Sequence, residues 1–127
     1  MARLAYVDTS YLLAPALADP SDPHVPHRLH DFDQLVSSRL LEAEFRSAFR
    51  RVAKPPRLSL LDLIEWADAD HSLTGEIQQV LAVDYLRGAD CWHVATALYA
   101  AADPSGWTFL TLDLRQRAVA KKLGFRV

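Results

Sequence analysis

The sequence has little cysteine, methionine and glycine. Of 127 residues, one is cysteine, one is methionine and four are glycine. The single cysteine, Cys91, excludes an internal disulfide, and no Cys/His set has the spacing of a zinc finger. A hydrophobic core must therefore hold the fold together, and we expect a reducing, cytoplasmic environment.

Long apolar runs are also absent. No run approaches the roughly 20 residues that a membrane-spanning helix needs. An Asp follows the first apolar residues, so the beginning of the chain does not match a secretory signal. We therefore expect a protein without membrane contact.

The charge is close to balanced but unevenly distributed. The formal net charge is −2 and the pI is about 6.2, which argues against a protein that binds nucleic acid over its whole surface. Residues 43–57 and 113–127 each carry five basic side chains and one acidic one. Residues 58–90 carry seven acidic side chains and one basic one. A polyanionic partner must therefore meet a local basic patch.

The order of strands and helices predicts a single α/β domain over residues 1–127. Leu4–Val7 and "WTFLTL" are short continuous apolar runs, typical of strands covered on both faces, and "DQLVSS" is a third strand candidate. Strands separated by helical segments are typical of parallel sheets. We expect a central, mainly parallel sheet of four to five strands flanked by helices.

Caps and periodicity predict where the helices begin and end. Ser37 or Ser38 is a suitable N-cap, Ser59 with Asp62 resembles a capping box, and Gly124 ends the last helix before "FRV" returns as a short strand. Residues 19–26 carry three prolines and predict a loop. The expected helices are 9–18, 39–52, 59–70, one from residue 74, 88–102 and 114–123.

Asp8 and Asp113 both follow apolar strands and precede helices. The carboxyl ends of parallel strands meet at one edge of a sheet, where open α/β sheets bind ligands, so the two side chains can converge. Each is equally suited to cap the helix that follows, and Gln116 stands three residues after Asp113 as in a capping box. Spacing alone leaves both roles open.

Acidic residues on two predicted helices are further candidates. Asp90 begins a helix whose remaining surface is apolar or small, so its carboxylate needs a cation, a salt bridge to Arg87 or a later lysine, or a proton. Glu42 and Glu44 lie on opposite flanks of the apolar stripe of the helix over 39–52. Helical geometry does not choose between these two glutamates, and either can be a solvated partner of a nearby Arg.

Four segments, in order, resemble the acidic motifs of the PIN-domain ribonucleases, especially the toxins of VapBC toxin–antitoxin pairs. The segments are "YVDTSYLL", "SSRLLEAEFRSAFRR", "LRGADCWHVATAL" and "FLTLDLRQRAVAKKLGFRV". Matched motif by motif, the resemblance identifies the acids Asp8, Glu44, Asp90 and Asp113 as catalytic and metal-binding residues. It gives supporting roles to Thr9, Ser10, Thr111 and His93.

The resemblance implies a PIN-like fold and an endoribonuclease that leaves a 5′-phosphate and a 3′-hydroxyl. It also implies an antitoxin partner and a homodimer. A cluster of carboxylates favours a hard divalent cation, so we expect Mg²⁺ or Mn²⁺ to activate a water for attack on phosphorus. For the phosphates of the RNA we expect contacts from four cations, Arg46, Arg51, Arg87 and Arg115.

Two other functions remain open. One is a non-catalytic RNA- or protein-binding module, and the other is phosphotransfer through Asp8. His24, His27 and His30 do not have the spacing of a firm zinc site. Trp66, Trp92 and Trp107 are expected to have structural roles, and the apolar face of residues 58–66 can serve either the core or a partner.

Overall fold

Four parallel strands form the central sheet in the computed structural model, which describes residues 2–17 and 29–127. They are β1 (Leu4–Val7), β2 (Gln34–Ser37), β3 (Ile64–Trp66) and β4 (Trp107–Leu110). Their order across the sheet is β3-β2-β1-β4. The predicted α/β fold with a central parallel sheet is confirmed. The predicted loop over residues 19–26 lies outside the described residues, as do His24 and His27.

Strand β1 occupies the interior of the sheet because its residues are apolar on both faces. It pairs in parallel with β2, where Leu4 lies opposite Gln34, and with β4, where Leu4 lies opposite Trp107. Ala5, Tyr6 and Val7 are fully buried. A continuous apolar run rather than an alternating one is what a strand with two covered faces requires.

Helices cover both faces of this sheet. They are α1 (Thr9–Leu17), α2 (Arg39–Arg51), α3 (Thr74–Val83), α4 (Gly88–Ala100) and α5 (Leu114–Lys122). One hydrophobic cluster joins Tyr6, Val36 and Phe109 to α3, α4 and α5, and a second joins Val7 and Leu35 to α1 and α2. None of the helices in the described part of the chain is long and apolar enough to cross a membrane.

Side-chain caps define the beginning of two helices that matter for the site. Ser38 is the N-cap of α2 and accepts a hydrogen bond from the amide of Leu40. Asp113 is the N-cap of α5 and accepts from the amide of Gln116. After α5, Gly124 has a φ of 106°, a backbone conformation that favours glycine, and the chain turns back there. The predicted bounds of these two helices are correct to within one residue.

The helix predicted over residues 59–70 is wrong. Residues Leu58–Leu63 form a short 3₁₀ helix, and the chain continues as β3. Ile64 pairs with Leu35 of β2, so the backbone gains strand pairing at an edge of the sheet that a helix could not provide. The strand predicted at "FRV" is reduced to a single parallel bridge between Arg126 and Thr108.

Candidate active site

Residues after β1 and β4 meet at the carboxyl edge of the sheet. The amide of Asp8 donates to the carbonyl of Leu110 at 2.9 Å, which continues the pairing of the two strands into the site. The Asp8 side chain is buried and its Oδ2 accepts from the amide and hydroxyl of Ser10 and from the hydroxyl of Thr111. Two residues with predicted supporting roles, Ser10 and Thr111, therefore hold Asp8 in place.

Gln116 of α5 connects three of the acidic positions from a fully buried site, at 0% exposure. Its Nε2 donates to Asp8 Oδ1 and to the carbonyl oxygen of Asp90, each at 3.2 Å. Its backbone amide donates to Asp113 Oδ1 at 2.8 Å, and its Oε1 accepts from Thr111 at 2.6 Å. One residue thus fixes the relative positions of the ends of β1 and β4 and the first turns of α4 and α5.

The structure distinguishes between the two glutamates of α2. Glu42 forms ion pairs with Arg39 and Arg46 along the helix surface, at 3.7 Å and 3.1 Å. Glu44 Oε1 instead accepts from the hydroxyl of Thr9 at 2.8 Å and lies 2.8 Å from Nε2 of His93. The hydrogen bond from His93 is the main cause that lowers the pKa of Glu44. Glu44 is therefore an ionised carboxylate close to the other acids.

His93 is the buried centre between Glu44 and Asp8. Its Nε2 lies 3.8 Å from Asp8 Oδ1, and its Nδ1 forms a hydrogen bond of 2.8 Å with the hydroxyl of Tyr6. Helix α4 places His93 and Asp90 three residues apart, both directed toward the end of β1.

Asp90 forms the salt bridge that the sequence left open as an alternative to a metal. Arg87 Nε donates to Asp90 Oδ2 at 3.2 Å. Burial nevertheless raises the pKa of the Asp90 carboxyl, and the negative charges of Asp8 and Asp113 act in the same direction. The carboxylates are thus close enough to repel one another electrostatically.

Asp113 caps α5 and also lies at the carboxyl edge of the sheet. Asp8, Asp90 and Asp113 together form what we call the acidic edge. Asp113 Oδ1 is held by the amide of Gln116, as the capping interpretation requires. Asp113 and Asp90 line one small cleft together with Arg87, Arg115 and Tyr85. Two acids and two arginines therefore face the same opening.

The four arginines expected to bind RNA phosphates occupy different places. Arg87 and Arg115 line the cleft with Asp90 and Asp113, although Arg115 also lies 3.5 Å from Asp84. Arg46 pairs with Glu42, and Arg51 is exposed at the end of α2; neither lines that cleft. The structure therefore brings two of the four arginines next to the acids.

The carboxylate oxygens of the site are the type of ligand atom that a hard divalent cation prefers. Within residues 2–17 and 29–127, no three His, Cys, Asp or Glu side chains are arranged to hold a metal ion by themselves. Mg²⁺ needs no protein cage, since it commonly binds one or two carboxylates and keeps several waters. The carboxylates of Asp8 and Asp90 are hard oxygen ligands of this type. Gln116 holds the Asp8 carboxylate and contacts the backbone carbonyl of Asp90.

Searches for similar proteins found no match. This holds for models of protein families, for curated proteins and for solved structures.

Two residues of the site were not anticipated from the sequence. Tyr6 lies inside an apolar strand and is easily taken for a core residue, and Gln116 is easily taken for half of a capping box with Asp113. The Gln116 side chain is directed away from that box and toward Asp8.

His30 is exposed and near Asp31, away from these acids. Trp92 is 40% exposed and donates to Ser38 Oγ.

Proposed function

We propose that this chain is a PIN-like endoribonuclease that acts with Mg²⁺ or Mn²⁺ and serves as the toxin of a type II toxin–antitoxin pair. The observation that carries the proposal is the position of Gln116, which bonds to the carboxylates of Asp8 and Asp113 and to the backbone carbonyl of Asp90. His93 holds Glu44 near Asp8. The resemblance of the four sequence segments to the PIN-domain motifs points to the same four acids.

Each acid has a role in this proposal. Asp8 and Asp90 would hold the cation, and Glu44 would hold it or orient the attacking water. Asp113 would act from the α5 cap, either through a water or at a second ion. The chemistry that a divalent cation supplies when bound is the activation of water and the neutralisation of phosphate charge.

The basic residues of the cleft would bind the substrate. Arg87 and Arg115 flank Asp90 and Asp113, where they can hold the phosphates on either side of the scissile bond. The Arg87 guanidinium is paired with Asp90. A cation held by Asp90 would compete with this pairing and would leave the guanidinium free to bind a phosphate.

The direct test is RNA cleavage with and without Mg²⁺ or Mn²⁺. We expect the unaltered protein to cleave RNA only with the metal and to leave a 5′-phosphate. Asp90→Asn should lose this activity, because one of the two proposed ligands is gone. Asp62→Asn is the matched control, since Asp62 is exposed on the 3₁₀ helix. Equal cleavage by the unaltered protein and Asp90→Asn would contradict the proposal.

A non-catalytic RNA- or protein-binding module is the second candidate function. It is favoured by the absence, among the described residues, of three side chains arranged to hold a metal. RNA binding without turnover in either metal would support this second function. Growth arrest of bacterial cells on expression of the chain, relieved by Asp8→Asn, would support the toxin assignment instead.

The antitoxin and a second copy of the chain are part of the proposal through the resemblance alone. Val52, Leu58 and Leu63 are exposed apolar side chains that such a partner could cover. Co-purification of the chain with the product of a neighbouring reading frame, and the mass of the purified protein in solution, would test the two assignments separately.

A further inference from the structure

A continuous line of hydrogen bonds runs from β1 to Glu44. The amide of Ser38 donates to the oxygen of Tyr6 at 3.1 Å, and the Tyr6 hydroxyl lies 2.8 Å from Nδ1 of His93. On the other side of the imidazole, Nε2 lies 2.8 Å from Glu44 Oε1. Tyr6 and His93 are both buried, so no bulk water replaces these contacts.

The direction of these hydrogen bonds follows from the chemistry of the groups at each end. A phenol carries its proton at neutral pH, so the Tyr6 hydroxyl has one hydrogen to donate. Glu44 Oε1 is a carboxylate oxygen and can only accept, so Nε2–H of His93 donates to it. In the neutral imidazole Nδ1 is then the unprotonated nitrogen, and it accepts from the Tyr6 hydroxyl.

Packing alone does not require a tyrosine at this position. The Tyr6 ring stacks on Phe109 with a centroid distance of 5.4 Å, and a phenylalanine would make the same contact. A hydroxyl group buried in the core costs free energy unless it forms hydrogen bonds. What the hydroxyl adds is a fixed partner for Nδ1, and therefore a fixed ring.

We propose that Tyr6 is a positioning residue of the active site, whose hydroxyl holds His93 so that Nε2–H fixes the carboxylate of Glu44. The Thr9 hydroxyl donates to the same oxygen of Glu44 and completes the orientation. The Glu44 side chain is 35% exposed, so part of it faces solvent while its Oε1 is held by His93 and Thr9. This inference rests on the proposed nuclease function.

Tyr6→Phe tests the role of the hydroxyl while keeping the ring. We expect kcat for RNA cleavage to fall about tenfold with little change in KM, because Glu44 is displaced while the RNA contacts remain. Tyr99→Phe is the matched control: it removes a hydroxyl that contacts the backbone at Asp70 and Asp68. A kcat for Tyr6→Phe equal to that of Tyr99→Phe would overturn the proposal.

The ¹⁵N resonances of the His93 ring give a second readout that does not depend on cleavage. In the unaltered protein we expect a protonated Nε2 and an unprotonated, hydrogen-bonded Nδ1. In Tyr6→Phe the Nδ1 resonance should move to the position of a nitrogen without a hydrogen-bond donor. A protonated Nδ1 in the unaltered protein, or an unchanged resonance in the variant, would overturn the proposal. If the protein cleaves no RNA, the proposed nuclease function is wrong, and these resonances alone test whether Tyr6 positions His93.

The step from His93 to Glu44 has its own pair of variants. His93→Gln supplies an amide N–H in the region of Nε2, whereas His93→Ala supplies none. We expect the glutamine variant to keep severalfold more kcat than the alanine variant. Equal loss in both, with equal melting temperatures, would overturn this step.

Discussion

Gln116 Nε2 donates a hydrogen bond to Asp8 Oδ1 across 3.2 Å, although 108 residues separate the two in the chain. The bond joins the first turn of α5 to the end of β1, and the same nitrogen reaches the carbonyl of Asp90. The amide has no charge, so it fixes Asp8 without neutralising the acidic edge. A lysine in its place would bring a positive charge and would neutralise part of the acidic edge.

Removal of the Gln116 side chain should destabilise the fold and disorder the acids together. Gln116→Ala leaves Thr111 and the Asp90 carbonyl without their buried partner, and we expect a loss of about 1–3 kcal/mol in the free energy of unfolding. Urea denaturation measures this loss. Gln79→Ala on the exposed surface of α3 is the control and should change stability by less than about 0.5 kcal/mol. Equal stabilities of the two variants would show that the Gln116 network has no net effect.

Asp90→Asn should raise the melting temperature at neutral pH in the absence of divalent metals. Burial raises the pKa of Asp90 in the folded state, with Asp8 and Asp113 contributing, so ionisation of this carboxyl destabilises the fold as the pH rises through that pKa. Below about pH 4 the unaltered protein is protonated there and the difference should shrink. Melting curves at both pH values measure it. A lower melting temperature for the variant at neutral pH would mean that the lost Arg87 pairing dominates.

Arg87→Gln should bind Mn²⁺ more tightly than the unaltered protein does. The guanidinium lies 3.2 Å from Asp90 Oδ2 and puts a positive charge where the proposed cation would bind. Removing that charge should lower the dissociation constant roughly fivefold at moderate salt. Titration followed by electron paramagnetic resonance measures free Mn²⁺, and Arg50→Gln, on the exposed surface of α2, is the control. Weaker binding by Arg87→Gln would contradict the prediction.

The two leucines at the end of the 3₁₀ helix should respond differently to truncation. Leu61 is 8% exposed and packs in the cluster under α1 and α2, whereas Leu63 is 49% exposed. We expect Leu61→Ala to cost about 2–4 kcal/mol and Leu63→Ala less than about 0.5 kcal/mol. Thermal or urea unfolding compares them. Similar losses would indicate that Leu63 is buried in the folded protein, for example against a second copy.

Sequence alone predicts those parts of this fold in which local and tertiary preferences agree. Leu4–Val7 has no polar position on either face, so only the interior of a sheet suits it, and Asp8 then has to lie at the carboxyl edge. The caps Ser38 and Asp113 accept hydrogen bonds from nearby backbone amides, so their positions can be predicted from sequence spacing. In residues 59–70 the capping pattern favoured a helix, but pairing of Ile64 with β2 decided the outcome.

The contacts made by polar side chains are harder to predict, because they depend on distant partners. Glu42 and Glu44 are equivalent along the helix, and the positions of His93 on α4 and Thr9 on α1 distinguish them. The hydroxyl of Tyr6 likewise gains its importance from His93, 87 residues away. Sequence therefore indicates which acids are available, while the packing of the helices decides what holds each of them.

The pairing of β1 with β4 determines when the acidic edge can exist during folding. Leu4 pairs with Trp107, so this pairing waits for β4, and the contact of Gln116 with Asp8 waits further until α5 has emerged and folded back. Contacts of such long range form slowly and late. A ribosome-bound chain that ends before α5 therefore carries Asp8, Glu44 and Asp90 in its sequence but has no assembled site. The topology delays assembly of the acidic edge until α5 has been synthesised.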